Sequence, residues 1–230
     1  MAVNKEQYIR IKKELDQKNV TLVAVSKTKP VEDILELYNL GHRDFGENYV
    51  QEMVDKYEAL PRDIRWHFIG HLQTNKAKYI APFVHLIHGV DSLKLLKEVH
   101  KQSAKLNRVT DVLLQVHIAQ EDTKFGLDKT ELDDILNTNS NQLDELKNVQ
   151  IKGLMGMASF TDDQEQIRKE FRQLKNIFQQ VQLQTTPDSY WDNFRTLSMG
   201  MSSDYRIAVE EGSTLVRIGS LLFGERVYNK

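Results

Sequence analysis

Two cations in this sequence stand against apolar neighbours in a way that invites chemistry. Lys27 directly follows the run VTLVAVS at 20–26. At the end of a buried strand its amine would stand at a pocket wall. Partial desolvation there lowers a lysine pKa and makes the amine a nucleophile able to form a Schiff base with an aldehyde. A solvated lysine at a strand end is the plain alternative. Lys29 competes for the role but lies further into the loop, beside Pro30. Arg217 sits inside the apolar run TLVRIG at 214–219. A buried guanidinium must meet an anion, a carboxylate or an acceptor nitrogen. A structural ion pair inside the fold is the alternative reading.

Small and hydroxyl residues follow the last two apolar runs: Ser198, Met199, Gly200, Met201 and Ser202 after one, Gly219 and Ser220 after the other. Turns of this kind bind phosphate through backbone amides and hydroxyls when they close the last strands of a barrel. Taken alone, a Ser/Gly turn is usually only a turn. Asn48 and His71 each follow an apolar run and offer an amide and an imidazole for hydrogen bonding to, or stacking on, a planar ring. A capping Asn and a surface His are the ordinary alternatives. The seven His show no HExxH-type spacing, and there is no Cys. Neither a metal site nor a thiol nucleophile is therefore expected.

These residues need elements to position them. Eight short apolar runs alternate with helical patterns: 20–26, 42–46, 65–70, 85–90, 110–116, 151–157, 195–199 and 214–219. Near-continuous apolar strands are what a parallel sheet covered by helices requires. Between them, apolar residues recur at helical spacing, most clearly Ile167, Phe171, Leu174, Phe178 and Val181. Pro30 suits a helix start, Ser92 a cap, and Gly212 a helix stop. An extra amphipathic helix with Tyr8, Ile11 and Leu15 precedes the first strand. Eight strand–helix units predict a single (β/α)8 barrel domain over 1–230, whose functional groups collect at the C-terminal ends of the strands. An open doubly wound sheet is the rival, but it would usually show a Gly-rich phosphate loop after its first strand, where this chain has SKTKP. The segments 137–142 and 184–193 read as loops.

Composition narrows the function classes. The chain has 230 residues, 40% hydrophobic and 28% charged, with a formal net charge of -2. That is enough chain for a sizeable core, and disorder is not expected. The near balance of charge argues against a general nucleic-acid binder. No run of about 18 apolar residues exists to span a membrane. The charged N-terminus lacks the features of a signal peptide, so a cytoplasmic protein is expected.

Six blocks together resemble one family. They are AVSKTKP at 24–30, FGENYVQE at 45–52, WHFIGHLQTNKAKY at 66–79, GLMGM at 153–157, LSMGMSSDY at 197–205 and VRIGSLLFGER at 216–226. In this order they closely resemble the YggS/PROSC family, the pyridoxal phosphate (PLP) homeostasis proteins. The resemblance implies a barrel like the N-terminal domain of alanine racemase, of fold type III among PLP proteins. It implies PLP held as a Schiff base on Lys27, Arg217 at the pyridine nitrogen, and Gly219 and Ser220 at the phosphate. Ser198, Met201 and Ser202 would add phosphate contacts from the LSMGMS block, and Asn48 and His71 would line the ring. It further implies a monomeric carrier that serves PLP homeostasis without efficient turnover, with PLP-dependent apoenzymes as recipients. A racemase of the alanine racemase type is the alternative, but its second base comes from a further domain that this chain does not supply. A PLP-free Schiff-base barrel such as an aldolase is a third reading.

Overall fold

The structure, a computed structural model, describes residues 3–121, 125–137, 146–183 and 193–224. Strands form at all eight expected places: β1 (Thr21–Val25), β2 (Asp44–Glu47), β3 (Arg65–Phe68), β4 (Leu86–Val90), β5 (Thr110–Gln115), β6 (Val149–Met155), β7 (Thr196–Ser198) and β8 (Leu215–Ile218). They are parallel and close into a barrel in sequence order, β8 pairing back onto β1 with Val23 opposite Arg217. Between them run α1 (Lys5–Asp16), α2 (Val31–Asn39), α3 (Val50–Ala59), α4 (Ala77–Ile80), α5 (Leu93–Ala104), α6 (Lys129–Asn137), α7 (Gln164–Leu183), α8 (Tyr205–Glu210) and α9 (Ser220–Phe223). The four-residue α4 and α9 are too short for periodicity to reveal. The expected loop at 137–142, after Asn137, and that at 184–193, before Asn193, lie outside the described residues.

The local signals act as elementary chemistry dictates. Ser92 caps α5 by accepting from the Leu95 amide at 3.3 Å. Pro30 takes the extended cap position of α2 rather than its first turn. Gly212, at φ 91°, ends α8 in the left-handed conformation. The predicted stripe of α7 is buried throughout, from Ile167 to Val181.

Alternation along the strands sorts side chains between two cores. One lies between sheet and helices and takes Phe45, Val216 and Ile218 among many others. The other is a small apolar layer within the barrel: Val23, Leu86, Leu113, Met155 and Leu215. Barrel interiors are packed by such layers. Polar residues sit in the same interior: His67, His88, Ser198 and Arg217, all buried. Gly153 is required where β6 meets β7, since at φ 152° any Cβ would collide with the Thr196 carbonyl. No described helix is long and apolar enough to cross a membrane.

Candidate functional site

A cavity of about 650 Å³ opens at the C-terminal mouth of the barrel. Lys27 stands half-buried on its wall, one residue beyond Ser26. The turn that carries Lys27 is held from outside the barrel. The Lys56 ammonium, on α3, donates to the Ser26 carbonyl (2.7 Å), to Glu47 (2.8 Å) and to Glu52 (2.7 Å). The Ser26 hydroxyl also donates to Glu47, at 2.6 Å. Thr28 sits at φ 62°, an uncommon region for a non-glycine residue, and its amide donates to Glu52 at 2.5 Å. A charged triad thus fixes the backbone on both sides of Lys27. Burial pushes the Glu47 carboxyl up to about 7, against the opposing pull of Lys56. Lys29, the competing amine, instead caps the end of α9, donating to the Phe223 carbonyl at 2.8 Å.

Arg217 reaches the same cavity from within the barrel. Its Nη1 donates to the Ser198 carbonyl at 2.9 Å and the Ser198 hydroxyl at 2.5 Å, and its Nη2 to the Gly156 carbonyl at 3.1 Å. Burial lowers its pKa to about 10, with Asp204 opposing, so it stays a cation at neutral pH.

A hydroxyl-bearing turn closes the far side. Ser202 accepts from the Gly219 amide at 3.2 Å, tying the β7 turn to the start of α9. Gly200 turns at φ 96°, where a Cβ would press on Ala208 at 2.5 Å. The first amides of a helix have no intrahelical partner, so the start of α9 presents donors. Asn48 lines the cavity too, and its Oδ1 is buried with no hydrogen-bond partner in the structure. A buried orphan acceptor costs about 1–3 kcal/mol unless a ligand or water meets it.

One side of this cavity therefore offers an amine, the floor a permanent cation, and the other side hydroxyls and amides. That pattern suits a planar aldehyde with a ring acceptor and a phosphate. The family model for the N-terminal domain of alanine racemase matches residues 4–227. The "Pyridoxal phosphate homeostasis protein" of Aquifex aeolicus is 44% identical over 208 residues, covering 90% of this chain and 87% of that one. The chain belongs to this family. The family's protein of that name from Schizosaccharomyces pombe is 37% identical over 224 residues, covering 96% of this chain and 90% of that one. Among solved structures, the family's PipY from Synechococcus elongatus PCC7942, with PLP bound, is 36% identical with a TM-score of 0.82. It covers 95% of this chain and 99% of its own. Alanine racemase from Bartonella henselae shares the fold at 17% identity and a TM-score of 0.68, over 96% of this chain and 59% of its own.

Of the nine residues expected at this family's site, seven line the cavity: Lys27, Asn48, Met201, Ser202, Arg217, Gly219 and Ser220. Ser198 does not. It is buried beneath, as the partner of Arg217. His71 is elsewhere: exposed in a separate cavity, hydrogen-bonded to Asp91 at 3.0 Å and stacked on Phe125 at 3.9 Å. The β3–α4 loop carries it to that separate cavity, and Ile69 lines the wall of the cavity that holds Lys27. Sequence reading missed Val25, Ile69, Met157 and Phe160, which give the cavity its apolar surface. It also missed the Glu47–Lys56–Glu52 triad, for which the acidic end of an apolar strand and an i,i+4 pair in FGENYVQEMVDK were the available signals.

At the opposite mouth of the barrel, donor atoms of Asp44, His67 and His85 all lie within 4.8 Å of one another. Two of the three are engaged together, His67 Nε2 lying 3.0 Å from Asp44 Oδ1. Both Asp44 oxygens also accept from Arg65, at 2.7 and 2.5 Å. The arrangement reads as a hydrogen-bonded floor. It was invisible in the sequence because its members come from separate strands.

Proposed function

We propose that this protein binds pyridoxal 5′-phosphate, holding it covalently and reversibly on the Lys27 amine, and serves PLP homeostasis as a cytoplasmic carrier. The observation that carries the reading is the convergence of Lys27, the Arg217 cation and the unpartnered Asn48 Oδ1 on one cavity. The PLP-bound form of PipY, at 36% identity, supports it. PLP supplies an aldehyde carbon that condenses with an amine and releases water. Lys27 provides that amine at the wall. Arg217 presents a permanent cation to the pyridine nitrogen and keeps it unprotonated. Ser202, Gly219 and Ser220 bind the phosphate, Asn48 and Met201 line the ring, and Ser198 holds Arg217 in place. The apolar wall of Val25, Ile69 and Met157 limits water around the bound ring.

A ring nitrogen without its proton is a poor electron sink. A racemase offsets this with two bases on opposite faces of its substrate; as a carrier, this protein does not turn over substrate efficiently. It is a monomer formed by one barrel domain over 1–230, and its recipients are PLP-dependent apoenzymes. A racemase role would require enzyme-like exchange of a substrate α-proton with solvent.

The test is the visible absorbance of purified protein mixed with PLP, before and after borohydride. Wild type forms a band that borohydride bleaches into a permanent adduct, and Lys27→Ala forms none. A reducible adduct retained by Lys27→Ala overturns the assignment.

A further inference from the structure

A chain of hydrogen bonds crosses the barrel interior from one mouth to the other. Arg217 Nη1 donates to Ser198 Oγ at 2.5 Å. Ser198 Oγ lies 3.0 Å from His88 Nδ1. His88 Nε2 lies 3.0 Å from His67 Nδ1, and His67 Nε2 lies 3.0 Å from Asp44 Oδ1. The five residues stand on β8, β7, β4, β3 and β2. All are buried, with His88 fully enclosed.

The two ends dictate the direction. A guanidinium has donors only, and an ionised carboxylate acceptors only. Burial alone would raise the Asp44 pKa, but hydrogen bonds from Arg65 and His67 more than offset it and hold Asp44 ionised. Burial, with the nearby Arg217 cation, keeps His88 neutral. Only one arrangement then satisfies every atom. Arg217 donates to Ser198, Ser198 to His88, His88 to His67, and His67 to Asp44. The reverse order would give the Ser198 hydroxyl two donors and leave its own proton without an acceptor. Both histidines are therefore Nε2–H tautomers, and four bonds of the same polarity join a cation to an anion.

We propose that His88 and His67 are positioning residues: a one-directional relay from Asp44 orients Ser198, which fixes the Arg217 guanidinium beneath the cavity. Each member acts through its neighbour and does not touch the bound ring. With Nη1 engaged twice by Ser198 and Nη2 by Gly156, the guanidinium cannot rotate in its plane without breaking buried bonds. The direction it offers the cavity is set four hydrogen bonds away, by the carboxylate at the opposite mouth. The other charged or titratable groups near the relay are Arg65 and His85 at the Asp44 end and Asp204 at the Arg217 end. Burial lowers the His85 pKa to about 4, and the Asp44 carboxylate raises that of Arg65, so neither changes charge near neutrality.

The inference rests on the PLP reading for its consequence, but its core is testable without PLP. Long-range ¹H–¹⁵N spectra of cofactor-free, histidine-labelled protein are expected to show His67 and His88 as single Nε2–H tautomers. In Ser198→Ala, His88 stays Nε2–H, held from the Asp44 end, but its Nδ1 resonance is expected to move with the loss of the hydroxyl donor, while PLP affinity falls about tenfold, the loss expected for one buried bond to a charged group. Ser198→Thr, which keeps the hydroxyl, is expected to restore the Nδ1 resonance. An Nδ1–H tautomer at either position in wild type overturns the relay. So does Ser198→Ala protein with an unaltered His88 spectrum, or with unaltered PLP affinity. Wild-type protein that fails to bind PLP while showing the expected tautomers would instead overturn the proposed function and leave the relay standing.

Discussion

β2 carries one carboxylate at each end, and the two experience opposite physics. Asp44 faces the barrel interior at one mouth, and Glu47 faces the helix layer at the other. Three residues apart on a strand, they must point to opposite faces. Both are buried, so burial raises both pKa values. Asp44 receives two bonds from Arg65 and one from His67, and these hold its carboxyl well below the usual range. Glu47 has one ammonium and one hydroxyl on a single oxygen, while its Oε2 is buried with no partner in the structure, and its carboxyl rises to about 7. Burial alone therefore decides nothing. The number of donors on the carboxylate sets the sign. The fully satisfied end anchors the barrel, and the under-satisfied end lies behind the turn that presents Lys27.

The largest effect comes from breaking the satisfied end. Asp44 binds protons less readily folded than unfolded, so its contribution is complete above its ordinary value of 3.8 and is lost as pH falls below it. Asp44→Asn keeps an acceptor for His67 but turns an amide donor toward Arg65. Arg65 is half exposed and relaxes into water, which limits the loss. Chemical denaturation at pH 7 is expected to show destabilisation of about 2–3 kcal/mol. The acid limb of the stability curve flattens in the same variant. Unchanged stability at pH 7 would remove the distinction between the two ends.

A smaller effect, of opposite sign in pH, belongs to Glu47. It binds protons more readily folded than unfolded. Its contribution is complete below its ordinary value of 4.5 and is lost as pH rises through about 7. Glu47→Gln is expected to abolish a decline of about 1–2 kcal/mol between roughly pH 5 and 8. Denaturation midpoints across that range check it, with a parallel decline in both proteins as the contrary result. Together the two variants separate the limbs of one stability curve.

The legibility of the two ends in sequence differs for the same reason. Lys27 and Arg217 were visible because each interrupts or ends an apolar run, so one strand suffices to reveal them. The strands themselves were visible because a sheet buried on both faces makes continuous apolar runs. Asp44, His67 and His88 were not, since each is a lone polar residue until the closed barrel brings β2, β3 and β4 side by side. Glu47 was hidden because its partners Ser26 and Lys56 lie on β1's end and on α3. His71 stands apart from the cavity in this structure because the end of a strand gives a side chain's location but not its heading. The loop beyond β3 turns it toward Asp91.

His71 supplies the smallest expected effect and the sharpest check on how far the site extends around the mouth. Its imidazole is exposed, pairs directly with Asp91 at 3.0 Å, and stacks on the half-exposed Phe125. An exposed pair of this kind contributes about 0–1 kcal/mol, and the ring stack lies outside the cavity that holds Lys27 and Arg217. His71→Ala is therefore expected to change stability by less than about 1 kcal/mol and PLP affinity by less than about threefold. Titration of PLP absorbance on the variant measures the second quantity. A loss of tenfold or more would mean that the β3–α4 loop swings His71 onto the bound ring. The ligand would then be enclosed from β3 as well as gripped from β1 and β8, and Ile69 would no longer be the wall on that side.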